Sequence, residues 1–426
     1  MTLSTIADRA RRVPRGHVIV IAAHLVVMLA IFFHMFYRSG LWRSADVRLY
    51  GVASHRMLLL GQAPYRDFPL EYPPGALLAF AVPHLVALGR PLGIRAYTWL
   101  FAAASVALSV ALAAVLSRLA RRVTADEAEQ SAALAAYAGG AAVLAPLLLL
   151  RFDLFVAALT ALSLLCLVTR RPAWAGITLG VAVAAKLYPV VLGPVWAAYY
   201  LSGRDLRSLA RLTAGGMAAV AATVGPFLAL APVGLLGFLR YHAQRGLQAE
   251  TVFAAPVLLG RALGLNDASL KYNFGAEHLV SPFADRLLPF LPLLFLVAYV
   301  LVIAACVERF RQERAEMGTV RAEVVAAYAL IALLAFVVTN KVFSSQYVVW
   351  LLPFAALLPG RRVFVLLAVC ALTAVVFLNW QAVVAFSTPF VLLLNVRNVL
   401  VVAWLVWLVA AYRPAPARVS RRAAAH

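Results

Sequence analysis

An isolated aspartate follows the first long apolar run of the 426-residue chain. This residue, Asp46, stands nine positions beyond the end of that run at Tyr37. A carboxylate so close to a membrane span can meet both a lipid headgroup and a water-borne hydroxyl. One positioned carboxylate is sufficient to take the proton of an attacking hydroxyl. The alternative is a plain helix N-cap, because aspartate is a favoured cap residue.

Cationic side chains interrupt the later apolar sequence, where they could stabilise an anionic leaving group. Arg151 and Asp153 flank one interruption, and Lys186 separates uncharged runs of 14 and 17 residues. Read as one span, those runs would place an ammonium near mid-bilayer at a cost of about 3 kcal/mol. Two short helices that meet at Pro189 are therefore expected, with Lys186 near the outer surface. The alternative is a snorkelling lysine without a ligand.

Two further cations, Lys341 and Arg397, are predicted at the same outer mouth. With Arg151 and Lys186 they form the candidate set for binding a phosphate. Ordinary interface anchoring is the alternative near Lys341, since tyrosine and tryptophan of the aromatic belt are close by. The remaining candidates for this site are Asp153, Glu71, Tyr72, Tyr188, Gln346 and Tyr347.

The composition requires that membrane helices position these groups. The chain is 64% hydrophobic and 13% charged, which is far more apolar than a soluble domain. This excludes a soluble enzyme, a disordered tail and a disulfide-rich scaffold, and it predicts an all-α polytopic integral membrane protein. The net charge of +21 is attributed to cytoplasmic loops rather than to nucleic acid. The three cysteines have no metal-ligand spacing, and no nucleotide-binding fingerprint is present.

Uncharged runs and basic residues together predict about 12 transmembrane helices in a single membrane domain, 1–426. The run 72–89 begins with Tyr-Pro-Pro-Gly and is read as re-entrant or interfacial, which puts 22 of the 38 basic residues on the inside. Both termini are then cytoplasmic, with tails 1–15 and 413–426. The predicted outer loops are 38–95, which carries interfacial helices, and 240–286. Short outer turns are predicted at 151–153, 186, 340–341 and 379–397. The predicted spans are 16–37, 96–117, 130–150, 154–169, 172–185, 187–203, 212–239, 287–307, 324–340, 342–360, 363–396 and 398–412.

Several short motifs occur in a specific order along the chain. The acidic residue outside the first helix is followed by Gly61-x-x-Pro64-Tyr65 and Tyr72-Pro73-Pro74. Ala185-Lys186-Leu187-Tyr188-Pro189 and Ser345-Gln346-Tyr347 come later, the last leading to Trp350. This order resembles the membrane glycosyltransferases of the GT-C class. It is most similar to glycosyltransferase family 87 (GT87), the polyprenyl-phosphate-mannose-dependent α-mannosyltransferases of actinobacteria.

The resemblance implies a multi-helix fold, a lipid-phosphate-linked sugar donor and an active site at the outer membrane face. It carries the role of the base over to Asp46. Many relatives have paired acids in the first loop, whereas here Arg48 stands two residues on. No cofactor or metal ligand is therefore assigned, and metal dependence stays open. A single base without a second nucleophile favours inversion by direct displacement.

The expected function is transfer of a sugar, mannose first, from a polyprenyl-phosphate donor to a lipid or glycan acceptor. The expected location is the outer face of the bacterial cytoplasmic membrane, so the partners are the donor, the acceptor and membrane lipids, without nucleic acid. A lipid-linked oligosaccharide ligase or polymerase is one alternative, and the outer loop 240–286 keeps it open. A transporter or flippase is the other, and the clustering of polar residues on one face argues against it.

Overall fold

The chain forms a helical bundle with very little β-structure. A computed structural model describes residues 13–39 and 44–415. Helices make up 76% of the described residues, and the strands among them form one two-stranded sheet. The all-α fold class is therefore confirmed. Most of the predicted tails 1–15 and 413–426 lies outside the described residues.

Long and short helices alternate along the chain because proline, glycine and charged residues interrupt the apolar runs. The helices are α1 (Arg15–His34, extended by a π-helical turn Met35–Ser39), α2 (Ala45–Leu58), α3 (Ala76–Val86), α4 (Ile94–Val123), α5 (Glu127–Val143), α6 (Ala145–Leu150), α7 (Asp153–Val168), α8 (Pro172–Ala185), α9 (Gly193–Leu201, preceded by a 3-10 turn Tyr188–Leu192), α10 (Leu206–Leu230), α11 (Pro232–Ala243), α12 (Ala254–Ala262), α13 (Pro282–Leu287), α14 (Leu291–Met317, joined to α13 by a 3-10 turn Leu288–Phe290), α15 (Ala322–Thr339), α16 (Tyr347–Ala355), α17 (Arg362–Leu378), α18 (Trp380–Val384) and α19 (Thr388–Tyr412). The strands β1 (Ser269–Asn273) and β2 (Ala276–Val280) pair antiparallel.

Six helical segments among the described residues are long and apolar enough to cross a membrane: Arg15–Arg38, Ile94–Val123, Leu206–Leu230, Pro282–Met317, Ala322–Thr339 and Thr388–Tyr412. Four shorter apolar helices, α3, α7, α8 and α17, accompany them. The total of 12 crossings stays a prediction. At 1.5 Å per residue the 11-residue helix α3 is about 16 Å long, short of a hydrocarbon core of about 30 Å. Its length favours a segment that does not cross.

One predicted boundary is partly wrong. The sequence predicts an outer turn at 379–397 that ends at Arg397, whereas the structure has one continuous helix, α19, from Thr388 through this position. The real interruption comes earlier, between α17 and α19, where the short helix α18 lies. Counting uncharged runs treats each arginine as a helix end. That rule fails here because the charge of Arg397 is compensated by a buried partner, Glu250.

Close helix contacts fix the position of the end of α8. A Cβ on Gly176 would overlap the carbonyl oxygen of Leu212, so α8 and α10 meet backbone to backbone, as small residues allow in membrane bundles. The amide of Gly75 donates to the carbonyl of Ala184 at 2.8 Å, and a Cβ on Gly75 would come within 2.6 Å of that backbone. These contacts join the first long loop to the residue pair that precedes Lys186.

Candidate active site

Five helix ends meet at one end of the bundle and carry the candidate residues. These are the beginnings of α2, α7 and α16 and the ends of α6 and α8. Asp46 lies in the first turn of α2, Arg151 lies between α6 and α7, and Asp153 begins α7. Lys186 directly follows α8. Residues far apart in the chain are thus brought together by the meeting of helix ends.

Asp46 forms an ion pair with Arg151. The two side chains are 24% and 20% exposed, so the pair is reachable from outside the protein. Burial lowers the pKa of Arg151, but the negative charge of Asp46 raises it, and the net direction is upward. The guanidinium is therefore charged at any physiological pH. The geometry joins the predicted base to one predicted phosphate ligand.

The N-cap alternative for Asp46 is wrong. The cap of α2 is Ser44, whose Oγ accepts a hydrogen bond from the amide of Val47 at 3.5 Å. Asp46 stands in the first turn, where its charge also complements the helix dipole. Its carboxylate is directed to Arg151 rather than to the helix backbone.

A second ion pair lies behind the first. The Nζ of Lys186 is 2.6 Å from Oδ1 of Asp153, and the indole Nε1 of Trp350 donates to the same oxygen at 2.5 Å. Asp153 is 1% exposed, whereas Lys186 is 16% exposed. Asp153 is thus enclosed and held by two donors, so it positions Lys186. Lysine has three N–H donors, of which one points at Asp153.

Aromatic rings enclose Lys186. Trp350 stacks between Tyr188, at a centroid distance of 3.8 Å, and Tyr347, at 3.7 Å. The Lys186 Nζ lies 5.2 Å from the Trp350 ring and 5.0 Å from the Phe152 ring, distances typical of cation–π contact. Tyr72 packs edge-to-face on Phe152 at 5.1 Å. The rings exclude water from one side of the ammonium.

Two other predicted residues, Lys341 and Gln346, form hydrogen bonds outside the two ion pairs. The Nζ of Lys341 donates to the carbonyls of Ala243 (2.8 Å) and Arg245 (2.9 Å), which closes the C-terminal end of α11. Burial, followed by the charge of Arg245, lowers the pKa of Lys341. Gln346 accepts a hydrogen bond from Ser344 at 2.7 Å.

Arg397 does not lie in an outer turn with a free guanidinium, as expected from the sequence. It is fully buried within α19, and it donates to the Glu250 carboxylate at 2.9 Å and to the Glu250 carbonyl at 2.8 Å. Asn398 and Ser345 complete this network, since Asn398 accepts from Arg397 and Ser345 donates to Glu250 at 2.5 Å. The network joins the loop after α11 to α19 and to the segment before α16.

Glu71 lies in a groove beside the ion pairs. A cavity of about 670 Å³ opens between α2, the segment 68–71 and α11. Its wall includes the polar residues Glu71 and Tyr241, the cations Arg48 and Arg56, and apolar residues such as Phe238. The cavity reaches Ala45, the neighbour of Asp46 in sequence.

Two residues that hold predicted site residues in place are not candidates in the sequence analysis. The sequence places Trp350 after the Ser345-Gln346-Tyr347 motif and among the interface aromatics, but it does not indicate the indole donation to Asp153, which depends on the approach of α16 to α7. Glu250 is not among the sequence candidates, although an arginine inside an apolar run implies a buried acid that compensates its charge. Among residues 13–39 and 44–415, no group of three or more histidine, cysteine or acidic side chains is arranged to hold a metal ion.

Comparisons with known proteins give a family match. The model of glycosyltransferase family 87 matches residues 70–339. The fold is similar to two crystal structures of ArnT from Cupriavidus metallidurans, one bound to undecaprenyl phosphate and one in the apo state. Each is 15% identical with a TM-score of 0.47; the matches cover 90% and 92% of this chain and 77% of the ArnT chain. No curated protein matches the sequence.

Proposed function

Because the chain belongs to glycosyltransferase family 87, we propose that it transfers a sugar from a polyprenyl-phosphate donor to a hydroxyl of a lipid or glycan acceptor. Glycosyl transfer follows from the family. Mannose is proposed as the sugar because the motifs around Asp46, Lys186 and Trp350 resemble those of mannosyltransferases. The proposed location is the outer face of the bacterial cytoplasmic membrane.

The observation that carries the proposal is the partly exposed ion pair of Asp46 and Arg151 in front of the enclosed pair of Lys186 and Asp153. It places one accessible carboxylate beside two cations. A transfer from a prenyl phosphate needs both: a base for the acceptor hydroxyl and positive charge for the departing phosphate.

The proposed step is a single displacement with inversion. The acceptor oxygen attacks the anomeric carbon while its proton passes to the Asp46 carboxylate. The bond between the anomeric carbon and the phosphate oxygen breaks, and the phosphate leaves with the electron pair. Arg151 and Lys186 stabilise the growing negative charge by charge-assisted hydrogen bonds.

Arg151 can bind the donor phosphate and Asp46 at the same time. Its planar guanidinium has five N–H donors, and it can hold a phosphate while it remains beside Asp46. Lys341 and Arg397 are less suitable, since their donors are directed at backbone carbonyls and at Glu250. We therefore assign donor binding to Arg151 and Lys186.

The distribution of basic residues supports the proposed orientation. The bundle end opposite the candidate site carries several arginines. They are Arg118 and Arg122 in the last turns of α4, Arg171 after the end of α7, and Arg362 at the start of α17. Basic residues are enriched on the cytoplasmic side of membrane proteins. The candidate site then faces outward, where the uncharged helix surfaces accommodate a prenyl chain.

A donor panel tests the proposal. Membranes that contain the protein are offered radiolabelled prenyl-phosphate mannose, glucose or arabinose, and the lipid and glycan products are separated. We expect label to reach a product from the mannose donor, with an inverted anomeric centre. Transfer only from nucleotide sugars, or movement of donor across the membrane without a new glycosidic bond, would contradict the proposal.

A further inference from the structure

A second and larger cavity lies at the bundle end opposite the candidate site. Its volume is about 1050 Å³. It is bounded by the start of α1, the last turns of α4, the start of α5 and the end of α7. Leu165 on its wall is 12 residues beyond Asp153 along α7, or about 18 Å at 1.5 Å per residue. The cavity is therefore separate from the groove beside Asp46.

The wall of this cavity is strongly basic. Arg118, Arg121, Arg122 and Arg171 line it, and Glu127 is the one carboxylate among its lining residues. This leaves three positive charges in excess inside one concave space. No ion pair between the described residues includes Arg118, Arg122 or Arg171. Guanidinium groups in this arrangement are suited to a phosphate, which they bind in a bidentate manner.

The part of the cavity wall that α7 forms is apolar, and we call it the floor. Leu162, Leu165 and Cys166 of α7 form this part, and Val13 also lines the cavity. The volume far exceeds the need of a lone phosphate ion, and the floor offers contact to hydrocarbon rather than to water. A charged rim above an apolar floor is the chemistry of a lipid headgroup with the beginning of its acyl chains. Basic pockets between membrane helices are known to bind anionic lipid headgroups.

We propose that this cavity binds an anionic phospholipid through its phosphodiester headgroup. Arg118, Arg122 and Arg171 hold the phosphate oxygens, and the α7 side chains contact the first methylene groups. The site is distinct from the donor site and does not take part in sugar transfer. Its occupant stabilises the junction of α1, α4, α5 and α7, because the lipid binds only where all four segments are assembled.

Lipid titration of the purified full-length protein tests this inference. The dissociation constant for phosphatidylglycerol is measured by native mass spectrometry, with phosphatidylcholine and inorganic phosphate as the comparison ligands. The test variant is R118Q/R122Q, which removes two exposed charges one helical turn apart. The matched control is R207Q/R211Q, an exposed pair with the same spacing on α10. A second test variant, R171Q, removes a different charge of the cavity wall, after the end of α7.

We expect phosphatidylglycerol to bind wild-type protein and the control equally, and R118Q/R122Q to bind it about 25-fold more weakly, from the usual contribution of a basic residue near a lipid surface. R171Q is expected to bind phosphatidylglycerol about 5-fold more weakly than the wild-type protein. The inference would be overturned if phosphatidylcholine or inorganic phosphate bound as tightly as phosphatidylglycerol. It would also be overturned if both test variants bound phosphatidylglycerol with wild-type affinity. None of these measurements depends on glycosyl transfer.

Discussion

Removing Lys186 should both destabilise the protein and impair donor binding, and the two effects can be separated. Asp153 is 1% exposed and has Lys186 as its charge partner at 2.6 Å. Lys186→Met leaves that carboxylate buried and uncompensated, which costs about 3–5 kcal/mol of folding free energy. The free energy of unfolding in detergent, measured by denaturant titration, should fall by that amount.

The double variant D153N/K186M removes both charges together. The asparagine oxygen can still accept the Trp350 indole hydrogen bond, which measures 2.5 Å in the native protein. We therefore expect most of the lost stability to return, since a buried ion pair replaced as a unit is often close to neutral. Lys271→Met is the control, because Lys271 is an exposed lysine on β1.

Activity then decides the role of Lys186. If its ammonium holds the departing phosphate, the refolded double variant lacks one charge-assisted hydrogen bond of about 1.5–3 kcal/mol. This corresponds to a loss of about 10- to 150-fold in kcat/KM for the lipid-linked donor. A stable double variant with wild-type kcat/KM would refute the donor-binding role. A K186M variant as stable as wild type would refute the buried-charge reasoning.

Three further predictions concern stability, each measured by denaturation in detergent. Burial, aided by Arg245, lowers the pKa of His278 to about 4, so stability is lost as the pH falls below about 6.5. His278→Gln should make the decline from pH 7.5 to pH 5 shallower by about 2 kcal/mol, and an unchanged slope would contradict this. Gly176→Ala should lower the free energy of unfolding by about 1–3 kcal/mol, because the added methyl group pushes α8 away from α10. Gly225→Ala should lower it little, because a Cβ there meets nothing within 4 Å. Equal effects of the two substitutions would contradict the close contact of α8 and α10. Arg397→Met should lower the free energy of unfolding by about 3–5 kcal/mol, because it leaves Glu250 buried without a charge partner. Adding Glu250→Gln should restore most of this loss. No restoration would contradict the assignment of Arg397 and Glu250 as an ion pair that acts as a unit.

The sequence predicts which candidate residues share one end of the bundle but not which of them touch. The parity of apolar runs puts Asp46, Arg151 and Lys186 on the same side, and the structure brings all three to one cluster. Their pairing could not be predicted, because it depends on how separate helix ends pack together. Asp46 and Arg151 are more than 100 residues apart, and Lys186 and Asp153 are 33 residues apart. Apolar sequence carries little information about such packing, since lipid-facing and protein-facing surfaces have similar composition.

The failure at Arg397 has a different physical cause. A charge in an apolar run indicates a helix end only when nothing inside the protein compensates it. Glu250, almost 150 residues earlier in the chain, neutralises Arg397 within α19. The acid and the base are each visible in the sequence, but the loop that carries Glu250 into the bundle is fixed by tertiary contacts with Asn398 and Ser345.

The central claim, that Asp46 is the base, is tested most directly by Asp46→Asn. The side chain is 24% exposed, so the amide should be accommodated with the fold intact, as checked by unfolding in detergent. Transfer of radiolabelled mannose from the polyprenyl-phosphate donor should fall by about 10²–10⁴-fold. Asp267→Asn, in which an exposed carboxylate of the predicted outer loop 240–286 is changed in the same way, should retain full activity. A folded Asp46→Asn protein that transfers mannose at the wild-type rate would contradict the account.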